Sequence, residues 1–366
     1  MSDNFIGKPI PKNVETRDGV VAWRSPSNIA LIKYWGKHGR QLPRNPSLSF
    51  SLSNAHTDTQ VSYTIREESQ ETASVSFSFE GKKNAAFEAR IQKFLDSIVT
   101  NFPYLKNVDL DIKSQNSFPH SSGIASSASS MSALALCLTD IEYELSGKAT
   151  DASFFLKASY ISRLGSGSAS RSVYKDFCVW GETSLDEKYV DEYAVPLDKV
   201  HPVFEALHDD ILIVSSVEKS VSSTAGHKLM EDNPYADIRY AEARRKLVAL
   251  AGIIEQGQVS AFGKIVEEEA LSLHALMMCS DPSYVLIEPA SLEIINEIRK
   301  FRIETGTPIF FTLDAGPNVH VIYPDSVQKK AREFVESKLL IHCEDGRHIF
   351  DRMGDGPQKI SYKNKI

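Results

Sequence analysis

The 366-residue chain has no run of 18 apolar residues, which is the length that an apolar helix needs to cross a membrane. Its first 18 residues are polar and lack the apolar core of a secretory signal peptide. We therefore expect no signal peptide, no membrane partner and a cytoplasmic location.

Cysteine is scarce, and its spacing fits neither a disulfide framework nor a zinc site. The four cysteines, Cys137, Cys178, Cys279 and Cys343, are far apart and form no CxxC motif. This spacing favours reduced thiols in a cytosolic protein.

Long blocks of one charge sign are also missing. The net charge is −7, and no stretch contains five or six like charges in a row. A broad electropositive surface for nucleic acid is therefore not expected, although a local basic pocket is compatible with this composition. The GxxxxGK[ST] phosphate-binding motif is absent as well.

The chain is long enough for two domains, and its apolar content of 42% is sufficient for two buried cores. The composition changes near residues 186–200, where charged residues and Pro196 precede Val203. We place a boundary there and predict an N-terminal domain over 1–195 and a C-terminal domain over 196–366.

Hydrophobic periodicity outlines the elements of both domains. Alternating segments at 47–52, 59–65 and 75–79 predict antiparallel strands with one buried face. Further strands are expected at 19–23, 108–112, 210–215, 309–313 and 319–322, and helices at 85–99, 127–143, 151–163, 236–255, 259–277, 292–305 and 327–339.

One serine-rich stretch, residues 119–134, lies between a predicted strand and a predicted helix and contains seven serines and one glycine. Small residues let the backbone approach a ligand, and hydroxyls, free N–H groups and a helix N-terminus all favour anionic oxygens. The stretch predicts a phosphate-binding loop. On composition alone, a flexible Ser/Ala-rich loop before a core helix is the better explanation, and the position between a strand and a helix is what favours the phosphate-binding loop.

Two other segments place cations beside polar groups. Lys33 and Lys37 flank Tyr34 and Trp35, which indicates either a pocket wall facing an anion or a strand edge with extended lysines. In residues 163–172, a helical turn would bring Ser168 beside Arg171, a pair suited to a carboxylate or phosphate. A glycine-rich turn also explains that sequence.

A carboxylate completes the set of candidate groups. Asp314 follows the strongly β-prone segment 309–313 and precedes Gly316 and Pro317. It is placed either as a fixed catalytic carboxylate or as a turn residue that bonds its own backbone. Cations, donors and one carboxylate together are what phosphoryl transfer from Mg²⁺-bound ATP requires.

At these same positions the chain resembles the diphosphomevalonate decarboxylase family of the GHMP kinase superfamily. The resemblance lies in residues 28–37, 118–129, 165–172 and 314–318, which occur in the family's order. The patterns NIAxxKYWGK and GSGSAxRS are specific to this branch, whereas the serine loop is shared more loosely across the superfamily.

The resemblance implies an α+β, two-domain GHMP kinase fold, with antiparallel sheets packed with helices and the active site in the interdomain cleft. It implies ATP-dependent decarboxylation of mevalonate 5-diphosphate to isopentenyl diphosphate, with ATP and Mg²⁺ as cofactors. It also implies a homodimer, with a small-molecule substrate and no nucleic-acid partner.

The resemblance further assigns roles to matching residues. Asp314 corresponds to the aspartate that acts on the C3 hydroxyl, Arg171 to the arginine that holds the substrate carboxylate, and Lys33 to the lysine near the reacting centre. Substrate contacts are implied for Asn28, Tyr34, Lys37, Ser166, Ser168 and Arg171. ATP contacts are implied for Ser121, Ser122, Gly123, Ser126 and Ser127.

Some positions depart from the family pattern. His120 replaces a usual threonine, Arg44 replaces an apolar residue, and residues 220–226 lack an arginine that some bacterial relatives carry. His227 and Lys228 follow that segment and are candidates to compensate. The change at His120 concerns contacts with ATP, whereas those at Arg44 and in residues 220–226 concern the choice between a diphosphate and a monophosphate substrate.

Three alternative functions are therefore considered. The first is a decarboxylase of mevalonate 5-phosphate. The second is a kinase that stops after phosphorylation, such as a mevalonate 3-kinase, but the presence of both Lys33 and Asp314 argues against it. The third is an inactive binding module, which would have lost polar residues from the clusters described above.

Overall fold

Two main β-sheets, each packed with helices, form the protein together with a two-stranded sheet of Lys37–His38 and Leu42–Pro43. The structure is a computed structural model that describes residues 5–7, 9, 18–118, 126–217 and 221–361. Among these residues the strands are β1 Asp18–Ile32, β2 Lys37–His38, β3 Leu42–Pro43, β4 Ser47–Ile65, β5 Ser74–Phe79, β6 Lys82–Lys83, β7 Val108–Asn116, β8 Phe177–Trp180, β9 Ala194–Pro196, β10 Leu207–Leu212, β11 Phe310–Thr312, β12 Val319–Pro324, β13 His348–Arg352 and β14 Gln358–Lys359.

The described α-helices are α1 Ala85–Ser97, α2 Ser126–Leu145, α3 Ala152–Gly165, α4 Ser223–Lys228, α5 Ala236–Gln256, α6 Val259–Met278, α7 Pro289–Thr305 and α8 Gln328–Phe334. Shorter 3₁₀ turns include Gly167–Val173, and a π-helical turn, Val335–Leu339, follows α8. None of the helices in this part of the chain is long and apolar enough to cross a membrane.

The larger sheet has the strand order β14-β1-β4-β7-β5-β6, with β8 paired to β4 and β9 paired to β8. The smaller sheet has the order β11-β12-β10-β13. This α+β arrangement confirms the predicted fold class. The division at residues 195 and 196 stays a prediction, and β14 near the C-terminus pairs with β1 in the larger sheet.

The prediction that the segment at 75–79 pairs in an antiparallel way was wrong. β5 pairs with β7 in parallel, with Phe77 opposite Ile112. The reason is topological, because α1 lies between these strands in the chain and provides the crossover that a parallel pair requires.

Other differences concern the extent of elements. The predicted strands at 47–52 and 59–65 form one 19-residue strand, β4, and the short strand at 19–23 extends to the 15-residue β1. Strands β2, β3, β6, β8, β9 and β13 and helix α4 were not predicted. The helix predicted at 327–339 is α8 followed by the π-helical turn.

Helix ends follow from local chemistry. Asn84 and Asp151 accept hydrogen bonds from Phe87 N–H and Phe154 N–H and so cap α1 and α3. Gly257 ends α5 at a φ of 72°, in the left-handed region that glycine adopts without steric cost.

An apolar cluster joins the two halves of the chain and positions the site. It brings Ile29 of β1 and Phe50 of β4 together with Leu247 of α5 and Phe262 of α6, all of them at most 1% exposed. Since β1 ends at Ile32, its carboxyl end meets the C-terminal helices, and the next residue is the predicted catalytic Lys33.

Candidate active site

Lys33 and Asp314 form an ion pair between the two halves of the chain. The Lys33 ammonium donates to Asp314 Oδ1 at 2.9 Å. The lysine side chain is only 2% exposed, whereas the aspartate is 29% exposed and therefore accessible to a ligand. A buried ammonium is tolerated when a carboxylate and hydrogen bonds compensate the lost hydration.

The backbone of Lys33 is held by charged side chains of the C-terminal half. The Lys33 N–H donates to Glu269 Oε1 at 3.2 Å, and Arg239 Nη2 donates to the Lys33 carbonyl at 3.3 Å. Glu269 is fully buried and also pairs with Arg239 and Lys246. These contacts fix the backbone from which the Lys33 side chain extends.

Arg171 lies on the 3₁₀ turn Gly167–Val173 and is 2% exposed. Its Nη2 donates to Asn28 Oδ1 at 3.2 Å, and its Nη1 donates to the Ser47 hydroxyl at 2.5 Å. Burial lowers the pKa of Arg171 to about 10, while the nearby Cys178 and Asp314 oppose this shift. The guanidinium therefore stays charged at neutral pH.

The orientation of the Asn28 amide is fixed by its neighbours. Asn28 Nδ2 donates to the Ser172 hydroxyl at 2.7 Å and to the Ser168 carbonyl at 3.2 Å. Because the amide nitrogen has these acceptors, the amide oxygen is directed at Arg171. The predicted pair of Asn28 and Arg171 is thus brought together, with Ser168 beside it.

Tyr34 and Lys37 lie on the segment that follows Lys33. The Tyr34 ring lies 4.7 Å from the Trp180 ring and 4.4 Å from the His227 ring, measured between centroids. Burial raises the pKa of the Tyr34 phenol, so the hydroxyl is neutral. Lys37 donates to Gln41 Oε1 at 3.0 Å, and partial burial lowers its pKa.

The predicted ATP-binding residues are described only in part. Ser121, Ser122 and Gly123 lie outside the described residues. Ser126 begins the 20-residue helix α2, and Ser127 is exposed at its first turn. The Ser166 hydroxyl donates to the Ser127 hydroxyl at 3.5 Å, so the predicted ATP and substrate positions adjoin. Hydroxyls at a helix N-terminus suit nucleotide phosphates.

Residues 18–118, 126–217 and 221–361 contain no group of three His, Cys, Asp or Glu side chains arranged to hold an ion. Mg²⁺ in nucleotide sites takes many of its ligands from phosphates and water, so the hydroxyls at the start of α2 fit an ion carried by the nucleotide.

Family models match both halves of the chain. The model described as the diphosphomevalonate decarboxylase-like N-terminal domain matches residues 25–190, and the mevalonate 5-diphosphate decarboxylase C-terminal domain matches residues 210–363. The chain belongs to the diphosphomevalonate decarboxylase family. The enzyme of that name from Danio rerio is 31% identical over 343 residues, covering 87% of this chain and 78% of that protein.

Solved structures of this family share the fold. The crystal structure of mevalonate diphosphate decarboxylase from Staphylococcus aureus has a TM-score of 0.80 and 28% identity, covering 94% of this chain and 98% of that one. The structure of MDDEF in complex with MVAPP, AMPPCP and magnesium has a TM-score of 0.78 and 26% identity, covering 94% and 100% of the two chains. The predicted two-domain fold is confirmed.

Several residues of this site were missed from the sequence. Glu269 and His274 lie on α6, where the sequence pattern predicted a helix and no site residue, and Arg239 lies on α5 among other charged residues. The signal that could have revealed Glu269 is a charged residue on the apolar face of a helix, since buried carboxylates are rare without partners.

Proposed function

We propose that this decarboxylase-family enzyme converts mevalonate 5-diphosphate and ATP to isopentenyl diphosphate, ADP, phosphate and CO₂. The observation that carries the proposal is the Lys33–Asp314 ion pair, with a Nζ–Oδ1 distance of 2.9 Å, close enough to Arg171 for Asp314 to affect the pKa of that guanidinium. A partly exposed carboxylate is thus held against a lysine and lies within electrostatic reach of an arginine.

Asp314 acts on the C3 hydroxyl of the substrate. This tertiary hydroxyl is a poor nucleophile and a worse leaving group, and its phosphorylation by ATP solves the second problem. The partly exposed Asp314 carboxylate accepts the hydroxyl proton as the oxygen attacks the γ-phosphorus. Lys33, held against Asp314, stabilises negative charge that develops on the transferred phosphoryl group.

Arg171 prepares the second step. Loss of the C3 phosphate removes the C–O bonding electrons and leaves positive charge at C3. The C1–C2 bond electrons then form the new double bond, and C1 leaves as CO₂. Because Asn28 and Ser47 hold the guanidinium, Arg171 keeps the substrate carboxylate in the orientation that this fragmentation needs.

Four further residues contact the substrate. Lys37 provides a cation for its phosphate groups, and the Tyr34 hydroxyl and the Ser166 and Ser168 side chains provide hydrogen bonds. These residues lie on two segments, one that follows Lys33 and one that precedes Arg171. The two segments approach each other where Tyr34 contacts Gly167, and this proximity supports the assignment.

ATP binds at the serine loop and the start of α2. Ser121, Ser122, Gly123, Ser126 and Ser127 are the residues that we assign to its phosphates. Mg²⁺ bound to ATP would neutralise charge on the β- and γ-phosphates during transfer. The complex of the related MDDEF with AMPPCP and magnesium supports ATP and Mg²⁺ as the ligands.

We also infer a homodimer in the cytoplasm. Membership of the family supports the dimer, and the dispersed, unpaired cysteines support a reducing compartment. Sedimentation equilibrium tests the first inference: a mass of two chains is expected, and a mass of one chain across the concentration range would contradict it.

Comparison of two substrates tests the proposed reaction. Purified protein with ATP and Mg²⁺ is supplied with mevalonate 5-diphosphate or with mevalonate 5-phosphate, and CO₂ release is followed. We expect a much larger kcat/KM for the diphosphate. A preference for the monophosphate would overturn the substrate assignment, and ADP formation without CO₂ would indicate a kinase.

A further inference from the structure

Helix α6 contacts the backbone at both members of the Lys33–Asp314 ion pair. Glu269 Oε1 accepts from the Lys33 N–H at 3.2 Å, and the His274 Nε2 lies 3.0 Å from the Asp314 carbonyl. Since a carbonyl only accepts, Nε2 is the donor. Two reactive side chains from distant parts of the sequence are therefore attached to one rigid element.

Two buried side chains of the C-terminal half hold the Lys33 backbone, and Asn45 Nδ2 from the N-terminal half also donates to the Lys33 carbonyl, at 3.0 Å. Lys33 is the first residue after β1, so its backbone lies beyond the sheet ladder. Glu269 takes its N–H, and Arg239 Nη2 donates both to its carbonyl and to Glu269. Glu269 is 0% exposed and Arg239 is 5% exposed, so water does not compete for these bonds.

The spacing along α6 fixes how far apart the two attachments are. Glu269 and His274 are five residues apart, which is about 7.5 Å along a helix at 1.5 Å per residue. His274 is 2% exposed, and α6 packs against β1 and β11, the strands that precede the two reactive residues. The helix thus sets the relative position of the two strand ends.

We propose that Glu269, Arg239 and His274 are positioning residues, which act through the backbones of Lys33 and Asp314 to hold these groups in reacting geometry. This inference rests on the proposed function, in which Lys33 and Asp314 act on the substrate. A displacement of about 1 Å in such a pair lowers turnover by as much as a hundredfold. We expect a change in kcat and not in KM, because the positioning residues contact neither mevalonate 5-diphosphate nor ATP.

Lys246 provides a matched control. Its ammonium pairs with Glu269 Oε2 at 3.4 Å, as part of the same buried charge cluster, and does not bond to Lys33. Arg239→Lys keeps the positive charge beside Glu269 and loses the fork that reaches the Lys33 carbonyl. Lys246→Met removes a charge from the cluster and leaves both bonds to Lys33 in place.

If the residues position Lys33, the variant that loses more kcat is not the variant that loses more thermal stability. We expect Arg239→Lys to lower kcat about tenfold to a hundredfold with little change in either KM, and Lys246→Met to lower Tm more while keeping kcat near that of the wild type. If kcat follows Tm across both variants, the residues act only on stability, and the proposal is overturned.

His274 is tested by rescue. His274→Leu removes the donor to the Asp314 carbonyl, whereas His274→Gln retains a side-chain N–H near the position of Nε2. We expect kcat to fall in the leucine variant and to recover in part in the glutamine variant. Equal kcat values in the two variants would show that the hydrogen bond has no positioning role.

Crystal structures of the variants separate this proposal from the proposed function. In Arg239→Lys we expect the Lys33 Nζ to Asp314 Oδ1 separation to exceed the 2.9 Å of the wild type, and in Lys246→Met to remain at that value. Unchanged separation in both would overturn the positioning role. If the wild-type protein does not turn over mevalonate 5-diphosphate, the proposed function is overturned instead. The Lys33 Nζ to Asp314 Oδ1 separations in the variants would still decide whether these residues have a positioning role.

Discussion

The Lys33 ammonium lies 2.9 Å from Asp314 Oδ1, although 281 residues separate the two in the chain. The lysine directly follows β1 of the larger sheet, and the aspartate lies just beyond the end of β11 in the smaller one. Their contact requires the two domains to pack as described, so the reaction proposed here depends on the interdomain arrangement.

Substitution of Asp314 tests the role of its carboxylate. Asp314→Asn keeps the size of the side chain but cannot accept the hydroxyl proton. We expect kcat to fall by about 10²- to 10⁴-fold, the usual contribution of a general base, while the Kd for ATP measured by calorimetry stays close to that of the wild type. Near-normal turnover would refute this role. Asp109→Asn, which alters an exposed carboxylate, should leave kcat unchanged.

A second substitution tests the guanidinium fork. Arg171→Lys keeps the charge but cannot hold Asn28, Ser47 and a substrate carboxylate together. Hydrogen bonds to charged groups contribute about 1.5–3 kcal/mol, so we expect kcat/KM for mevalonate 5-diphosphate to fall about 10- to 100-fold. Arg40→Lys, an exposed control, should have little effect. If Arg171→Lys retains the kcat/KM of the wild type, a single positive charge is sufficient to hold the substrate carboxylate and the fork is not required.

His227 gives a prediction about pH and stability. Burial, with a further contribution from the like charge of Lys37, lowers the pKa of His227 to about 3. The unfolded chain binds this proton near pH 6.5, so between about pH 6.5 and 3 stability falls as the pH decreases, by up to about 1.4 kcal/mol per pH unit.

His227→Met removes the titrating group and tests that dependence. Urea unfolding from pH 7 to pH 4 should give a free energy of unfolding that declines less steeply for the variant than for the wild type. If the free energy of unfolding depends on pH in the same way in both proteins, the His227 ring is not held neutral in the folded state. The Gly36 N–H donates to Nδ1 of the neutral His227 ring at an N–N distance of 2.9 Å, so the ring proton lies on Nε2.

The ATP site is tested at the start of α2. Ser127→Ala removes an exposed hydroxyl that adjoins Ser166, and we expect the KM for ATP to rise about two- to tenfold, the value of one neutral hydrogen bond. Ser130→Ala is the matched control, because the Ser130 hydroxyl donates to the Ser126 carbonyl within the helix. A larger effect from Ser130 than from Ser127 would contradict the assignment.

Local patterns in the sequence predicted much of this fold. The helices at 127–143 and 151–163 are close to α2, Ser126–Leu145, and α3, Ala152–Gly165. Their apolar periodicity and, for α3, the Asp151 cap are properties of neighbouring residues, which a sequence displays directly. The parallel pairing of β5 with β7 was mispredicted because alternation in one strand does not specify its partner's direction.

The site was predicted less completely than the fold. Family motifs identified Lys33, Arg171 and Asp314, but their surroundings depend on long-range packing. Glu269 has charged residues beside it in the sequence, and only the tertiary structure shows that it is fully buried against Arg239. Glu269 is buried because α5 and α6 pack against β1. The periodicity within either helix does not determine this packing.

The stoichiometry of CO₂ release tests the central claim most directly. Mevalonate 5-diphosphate labelled at C1 is incubated with the enzyme, ATP and Mg²⁺, and labelled CO₂, phosphate and ADP are measured together. The account predicts equal amounts of all three, with no CO₂ when ATP is omitted. ADP accumulating without CO₂, or CO₂ formed without ATP, would contradict it.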